Sequence, residues 1–298
     1  MVGSTSSATT LAMMPLAEES KKILVADIAG ADSITGDKWN RYLVRTGRNV
    51  TQEAAASALA VSEKGASIAT LAQDYAFGRE SVAAFKRVAL EKGAELVAEE
   101  YAPITATDFT AAAERIFAAL KDKPGKKKLW VSWIGTNPIP KLNAMNPARY
   151  GIEISTPGTL LSAMSSFKEI PDLEGVMFYY YGLNKNGAND WLVAEHTKLY
   201  KTPPDFGTAL AFNAAIAIAK AVTDAGGTDT EKLLAAFEGM KFEGATGQVT
   251  IRKEDHQAMH SVYHVKYTTV PNSDWAVPTL IKKFDADQIS VPVLNKRN

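Results

Sequence analysis

Over most of the chain, short β-branched and apolar runs alternate with stretches whose apolar residues recur every three or four positions. That is the pattern of a parallel sheet covered by helices. The spacing predicts strands at 22–27, 67–72, 95–99, 129–133 and 175–181. Between them, 79–92 carries Val82, Phe85, Val88 and Ala89 on one face and stops at Gly93. Residues 108–120 open on Asp108 as a cap and line up Phe109, Ala112, Ile116 and Leu120. Both stretches read as helices, so 61–154 forms three or four consecutive β-α units, the bulk of one lobe. A helix at 8–18, the strand around Ile23 and helices at 191–200 and 205–225 flank that lobe and pair with each other as a second. From Gly247 onward the pattern turns to β, with candidate strands at 248–251, 261–267 and 279–284. The basic run 121–128 lies between a helix and a strand and reads as a solvated turn.

Composition narrows the function classes. The 298 residues are 46% hydrophobic, enough for two ordinary cores. Lys plus Arg equals Asp plus Glu at 33 each, so no overall field holds nucleic acid or an anionic membrane surface. The absence of Cys removes disulfides, thiolate metal sites and cysteine nucleophiles together. The Ala-rich stretch 208–222 is broken by Asn213 and Lys220 and is shorter than the roughly 20 residues a membrane span needs, so it reads as a buried helix. The first residues lack the basic start and apolar run of a secretion signal, which leaves either an internal protein or a start lying upstream.

Three clusters could carry chemistry. Residues 3–10 gather small hydroxyl side chains, Ser6 and Ser7 among them, at a helix start. They are either an anion seat or an ordinary Ser-capped helix, and without a phosphate-loop Lys they disfavour a nucleotide. Ala29-Gly30-Ala31 follows a strand and either lets a ligand approach the backbone or is a plain loop. Asp74 to Arg79 place Tyr75 and Phe77 at a strand-to-helix turn, where open α/β sheets hold ligands; the rings either cover an apolar ligand or staple the helix. His256, His260 and His264 recur every fourth residue, but their β-branched and aromatic surroundings favour a strand over a helical metal face. No Gly-x-Ser-x-Gly elbow and no His-Glu-x-x-His occurs, and no cofactor is expected.

Gly3 to Ser7, Tyr42 to Asn49 with Gln52, Asp74 to Arg79, Thr107 to Phe109, and Gly247 to Arg252 followed by Asp255 to Gln257, in that order and spacing, resemble the leucine/isoleucine/valine-binding family of periplasmic receptors. The resemblance covers nearly the whole chain and implies the two-lobed α/β fold of type I periplasmic binding proteins. Lobe I would comprise 1–48 and 180–252, and lobe II 49–179 and 253–298, with crossings near Arg48 to Val50, Phe178 to Tyr180 and Arg252 to Asp255. It further implies a ligand in the cleft. Ser7, with Ser6 beside it, holds a carboxylate, Ala29 and Ala31 supply backbone groups, and Phe77 with Tyr75 forms an aromatic wall. Asn49, the loops at Gly135-Thr136-Asn137 and Thr156 to Gly158, and Tyr179 to Tyr181 complete the set.

Three departures from the family pattern qualify this. Ala31 stands where relatives often carry Thr. Thr156-Pro157-Gly158 lacks the acid that relatives place against an α-ammonium, unless Asp27, Asp32 or Glu153 substitutes, which brings aromatic or aliphatic carboxylates and small amides forward. Two N-terminal β-α units and the signal of the family are missing before Gly3, which implies an incomplete lobe I with an open sheet edge. The expected function is an extracytoplasmic, non-enzymatic solute-binding protein whose partners are a small molecule and an ABC permease. The alternatives are a sensing domain with the same fold and, remotely, a hydrolase using Ser6 or Ser7 with His256.

Overall fold

The computed structural model describes residues 1–135, 137–158, 160–170 and 172–295. The chain begins with α1 (Ser7–Glu19) and the parallel pair β1 (Leu24–Ala26) and β2 (Leu43–Arg45). It continues through α2 (Val50–Val61), β3 (Ser67–Gln73), α3 (Ala76–Glu91), β4 (Glu95–Ala102), α4 (Thr110–Leu120), β5 (Lys127–Ser132), α5 (Ile139–Ala144), β6 (Ile152–Pro157), α6 (Leu161–Met164) and β7 (Glu174–Met177). Three helices follow, α7 (Gly187–Tyr200), α8 (Phe206–Ala225) and α9 (Thr230–Phe237). The chain closes with β8 (Lys241–Gly244), β9 (Gly247–Ile251), β10 (Ala258–His260), β11 (Val262–Thr268) and β12 (Val277–Phe284).

The larger sheet runs β12-β11-β7-β6-β5-β3-β4, parallel from β4 to β7 and antiparallel at β7, β11 and β12. Strand β3, between β5 and the edge strand β4, is buried at every residue because helices cover both faces, which is why Ser67–Gln73 reads as a continuous run and not as an alternation. One face packs α2 and α3 against Ile68, Trp130 and Phe178, with the Phe85 and Trp130 rings stacked 4.2 Å apart. The other packs α4 against Leu71, Leu129 and Val131. The smaller lobe combines β1 and β2 with the antiparallel β10-β9-β8, joined by a bridge from Arg45 to Gln257. Its helix α8 has the length and hydropathy of a membrane span, yet lays Ala214, Ala217 and Ala221 on this β layer.

The chain passes between the lobes at Gly47–Asn49, after β7, and at Ser261. The third passage, expected at Arg252 to Asp255, lies later because Ala258 pairs with Ile251 and His260 with Val249, so backbone hydrogen bonds keep 252–260 with the smaller sheet. Residues 253–260, assigned from sequence to lobe II, therefore belong with the smaller lobe. The strand expected to reach Tyr181 stops at Met177, where pairing with Tyr263 ends and the second passage begins. The tail also returns across. Arg87 of α3 donates to the Ser290 carbonyl at 2.9 Å, Arg252 to the Val291 carbonyl at 2.7 Å, and Asn295 to the Glu254 carbonyl at 2.6 Å.

Lys128 corrects the reading of 121–128 as a solvated turn. It lies buried in β5 with its Nζ 2.5 Å from Glu153 and 3.6 Å from Glu174. The His264 Nε2 lies 3.1 Å from Glu174 in turn. That His264 hydrogen bond, helped by Lys128, holds the Glu174 carboxyl below its ordinary range against the opposing effect of burial. A carboxyl depressed by folding stabilises the protein above the ordinary carboxylate range, and this is lost as pH falls through the folded value. Melts of Glu174→Gln between pH 6 and 3 should therefore show a shallower acid limb than the parent; equal slopes would refute the coupling.

Candidate functional site

At the carboxyl ends of β1 and β2, Arg45 organises the loop that follows β1. Its guanidinium, fully buried, donates to the Ala29 and Ala31 carbonyls at 3.3 and 2.6 Å, to Gln257 Oε1 at 2.5 Å, and to the Thr35 hydroxyl. Burial pushes its pKa down to about 9, with the Asp32 carboxylate opposing. The peptide between those two carbonyls is held from the other side, its Gly30 carbonyl accepting from the Val50 N–H at 2.8 Å, and its Ala31 N–H donates to Ser7 Oγ of α1 at 3.1 Å. Ser7, Ala29 and Ala31, far apart in sequence, thus meet at one corner. Asp32 follows, with its carboxylate accepting from the Thr51 N–H at 3.2 Å and the Thr51 hydroxyl at 2.6 Å at the start of α2. Burial raises the Asp32 pKa against those bonds. At Gly30 a Cβ would lie 2.3 Å from Arg48 Nη1, so any side chain here would displace the Arg48 guanidinium.

The larger lobe presents the first turn of α3 to this corner. Gly78 lets the helix press onto the end of β3, where a Cβ would meet the Gln73 carbonyl at 1.9 Å. Phe77 is buried, and Tyr75 stacks on it at 5.8 Å while remaining 40% exposed. One turn on, Glu80 Oε2 accepts from the Asp32 N–H at 3.2 Å, across the lobes. Burial raises the Glu80 pKa, and the charges of Asp32 and Asp37 raise it further. A second such contact runs the other way, from the Leu161 N–H to Asp205 Oδ2 at 3.1 Å. Asp205 also caps α8 through its Oδ1, 2.7 Å from the Phe206 nitrogen.

The remaining candidates differ in what their polar groups do. Ser6 caps α1, accepting from the Thr9 N–H at 3.4 Å, and Asn49 caps α2, accepting from the Gln52 N–H at 2.8 Å. The Thr156 hydroxyl donates to the Val131 carbonyl at 3.1 Å, and Gly158 is pressed onto β7, with room for no Cβ beside Met177. Gly135 is exposed with φ +94°, and Thr136 falls outside the described residues. The Tyr179 hydroxyl donates to Asn189 at 2.8 Å, and burial pushes its pKa well above the usual range. The Tyr180 and Tyr181 hydroxyls lie 3.3 Å apart, with Trp275 Nε1 donating to Tyr180 at 3.2 Å. Asp27, at the end of β1, is buried, and its carboxylate makes no hydrogen bond or ion pair among the described residues.

The three histidines occupy three separate environments. His256 Nδ1 lies 2.8 Å from the Leu43 carbonyl, His260 contacts Thr46 and Thr246, and His264 contacts Glu174. No cluster able to hold a metal ion forms among the described residues. Ser6, Ser7 and His256 make unrelated hydrogen bonds, so they do not form a nucleophile-base pair. Sequence reasoning missed Arg45, Glu80 and Asp205. Arg45 sits in an apolar strand and Glu80 in an amphipathic helix, and neither place marks out a functional charge.

A family model described as periplasmic binding protein matches residues 1–272. Among curated proteins compared with the chain, none matches. A solved ABC-type branched-chain amino acid transporter structure from Rhodopseudomonas palustris CGA009 is 52% identical, covering 99% of this chain and 80% of its own, with a TM-score of 0.94. A solute-binding protein from R. palustris BisB5 in complex with 3,4-dihydroxybenzoic acid is 24% identical over 96% of this chain and 78% of its own, at a TM-score of 0.79. Another from R. palustris, with 4-hydroxybenzoate, is 21% identical over the same shares, at 0.81.

Proposed function

The chain belongs to the periplasmic binding protein family, and from that membership we propose that it is the extracytoplasmic solute-binding component of an ABC importer, taking a small carboxylate in the cleft between its lobes. The observation that carries this reading is the corner where Ser7 Oγ meets the Ala31 N–H, beside Ala29, joined through Asp32 and Glu80 to the start of α3, which carries the stacked Phe77 and Tyr75 rings. A hydroxyl and backbone N–H groups at the start of α1 suit a carboxylate, and the rings suit an apolar body. The permease is the expected partner, and no step of covalent chemistry is assigned to the chain.

The ligand's body is the open variable. Thr156 to Gly158 offers no acid for an ammonium, which supports an aromatic or aliphatic acid such as those bound by two of the neighbours. A second reading rests on Asp27: its buried carboxylate, without a partner among the described residues, suits a ligand ammonium, in keeping with the branched-chain amino acid transporter at 52% identity. Thermal melts against benzoate, 4-hydroxybenzoate, leucine, valine and acetamide separate the two. A ligand at about 100 times its dissociation constant adds about 2.7 kcal/mol of stability. Ser7→Ala should weaken whichever carboxylate binds by roughly tenfold, and Asp27→Asn should abolish amino-acid binding while sparing benzoates. If no carboxylate raises the midpoint, the importer reading fails.

A further inference from the structure

We propose that Glu80 sets the affinity of the cleft without touching the ligand, as a carboxylate on α3 that accepts a backbone N–H of the opposite lobe when the lobes are shut. The proposal rests on the solute-binding reading and adds a residue that decides how tightly any solute is held. Asp32 belongs to the loop after β1 and Glu80 to the helix over the larger sheet, so the 3.2 Å hydrogen bond joins two bodies linked by narrow passages. Its acceptor is a half-buried carboxylate whose one hydrogen bond among the described residues is to the Asp32 N–H. Asp205 on the smaller lobe repeats the device in reverse on the Leu161 N–H.

Such contacts bias an open-closed equilibrium before any ligand arrives. The apparent affinity of a ligand that needs the closed form scales with the closed fraction, so a loss of closure weakens every ligand by the same factor. Glu80 also faces the negative charges of Asp32 and Asp37, with Arg45 as the opposing charge, so the contact is moderate and reversible. Gln at this position keeps an oxygen acceptor and sheds that repulsion. Ala loses the acceptor altogether. Asp205 is the poorer probe, since it caps α8 as well.

The test uses the full chain with spin labels at one exposed residue of each lobe, Leu199 and Leu90 each replaced by cysteine, and measures the interlobe distance without ligand. Glu80→Ala should move the distribution toward longer distances, while Glu80→Gln stays with the parent. Binding is then measured for leucine and 4-hydroxybenzoate, with Glu80→Ala expected to weaken each ligand that binds by the same factor, roughly three- to tenfold. Identical ligand-free distances in the parent and Glu80→Ala would overturn the proposal, as would Glu80→Gln opening as far as Ala. Unequal factors for the two ligands would also overturn it, by making Glu80 a direct contact. The distances need no ligand, so a failure of the importer reading leaves this test standing.

Discussion

Arg45→Met lowers the free energy of unfolding by about 3–5 kcal/mol, the range for breaking a buried charged network by removing one partner. Methionine fills much of the same volume, so the loss comes from polarity and not from a cavity. The guanidinium serves the Ala29 and Ala31 carbonyls, Gln257 and the Thr35 hydroxyl inside the protein. Each acceptor left dry costs about 1–3 kcal/mol, while relief of guanidinium desolvation returns part of the total. Because most partners are neutral carbonyls and amides, little charge-charge attraction is lost, and the orphaned acceptors decide the sign. Denaturant melts with matched slopes measure the change. A loss below about 1 kcal/mol would mean that water enters and satisfies the loop. The same variant should weaken ligand binding, since the guanidinium holds the loop on both sides of the peptide whose N–H meets Ser7, through the Ala29 and Ala31 carbonyls.

His260 gives the second large effect, this time through pH. Its Nε2 lies 3.0 Å from the Thr46 carbonyl, its Nδ1 lies 3.2 Å from the Thr246 hydroxyl, and its ring meets Phe178 edge-on at 6.0 Å. A neutral ring with its proton on Nε2 satisfies both neighbours. Burial lowers the pKa to about 4, and the Arg48 charge lowers it further against the help of the backbone bonds. For a group depressed by folding, the stabilisation is fully present above the unfolded histidine value near 6.5 and is lost as pH falls toward 4. That amounts to about 3 kcal/mol between pH 7 and 4. His260→Gln should be less stable at pH 7 and show a much flatter dependence across that window. If both proteins lose stability in parallel from pH 7 to 4, the ring is not the group responsible.

The position of His260 gives that titration a mechanical meaning. Thr46 precedes the first passage between lobes, Phe178 lies on the second, and His260 is the last residue of β10 before the third. One imidazole therefore ties the connecting segments together. From sequence, its β surroundings were legible, but this convergence was not, because it joins residues some 214 positions apart.

The succession of apolar runs and helical stretches sufficed for β3, α3, β4, α4 and β5: the two helices bury one face each, and β3 and β5 are buried along nearly their whole length, as continuous apolar runs should be. It failed where tertiary pairing decides. The three-residue β2 and β10 are too short to carry a period, and α2 is buried on nearly all sides, so no polar face reveals its helical repeat. Phe178 to Tyr181 continue the apolar run of β7, and nothing in their composition shows that the partner strand ends at Tyr263. Of the site, the hydroxyl cluster, the Ala29 loop and the aromatic turn stood out in the sequence because small residues and rings at strand ends are unusual. Arg45 and Glu80 did not, since a charge becomes informative only once its surroundings are known to be dry.

The returning tail also bears on how closure can be watched in a living cell. Met1 is held through its ammonium group to the Ile23 carbonyl, and Asn295 to the Glu254 carbonyl, both on the smaller lobe. Fluorescent proteins joined near residues 1 and 295 would ride on one body, and their energy transfer would stay constant however far the cleft opened. A genetically encoded solute sensor built on this chain needs one fluorophore inserted in the larger lobe, for which the exposed turn around Gly125 between α4 and β5 is the natural place.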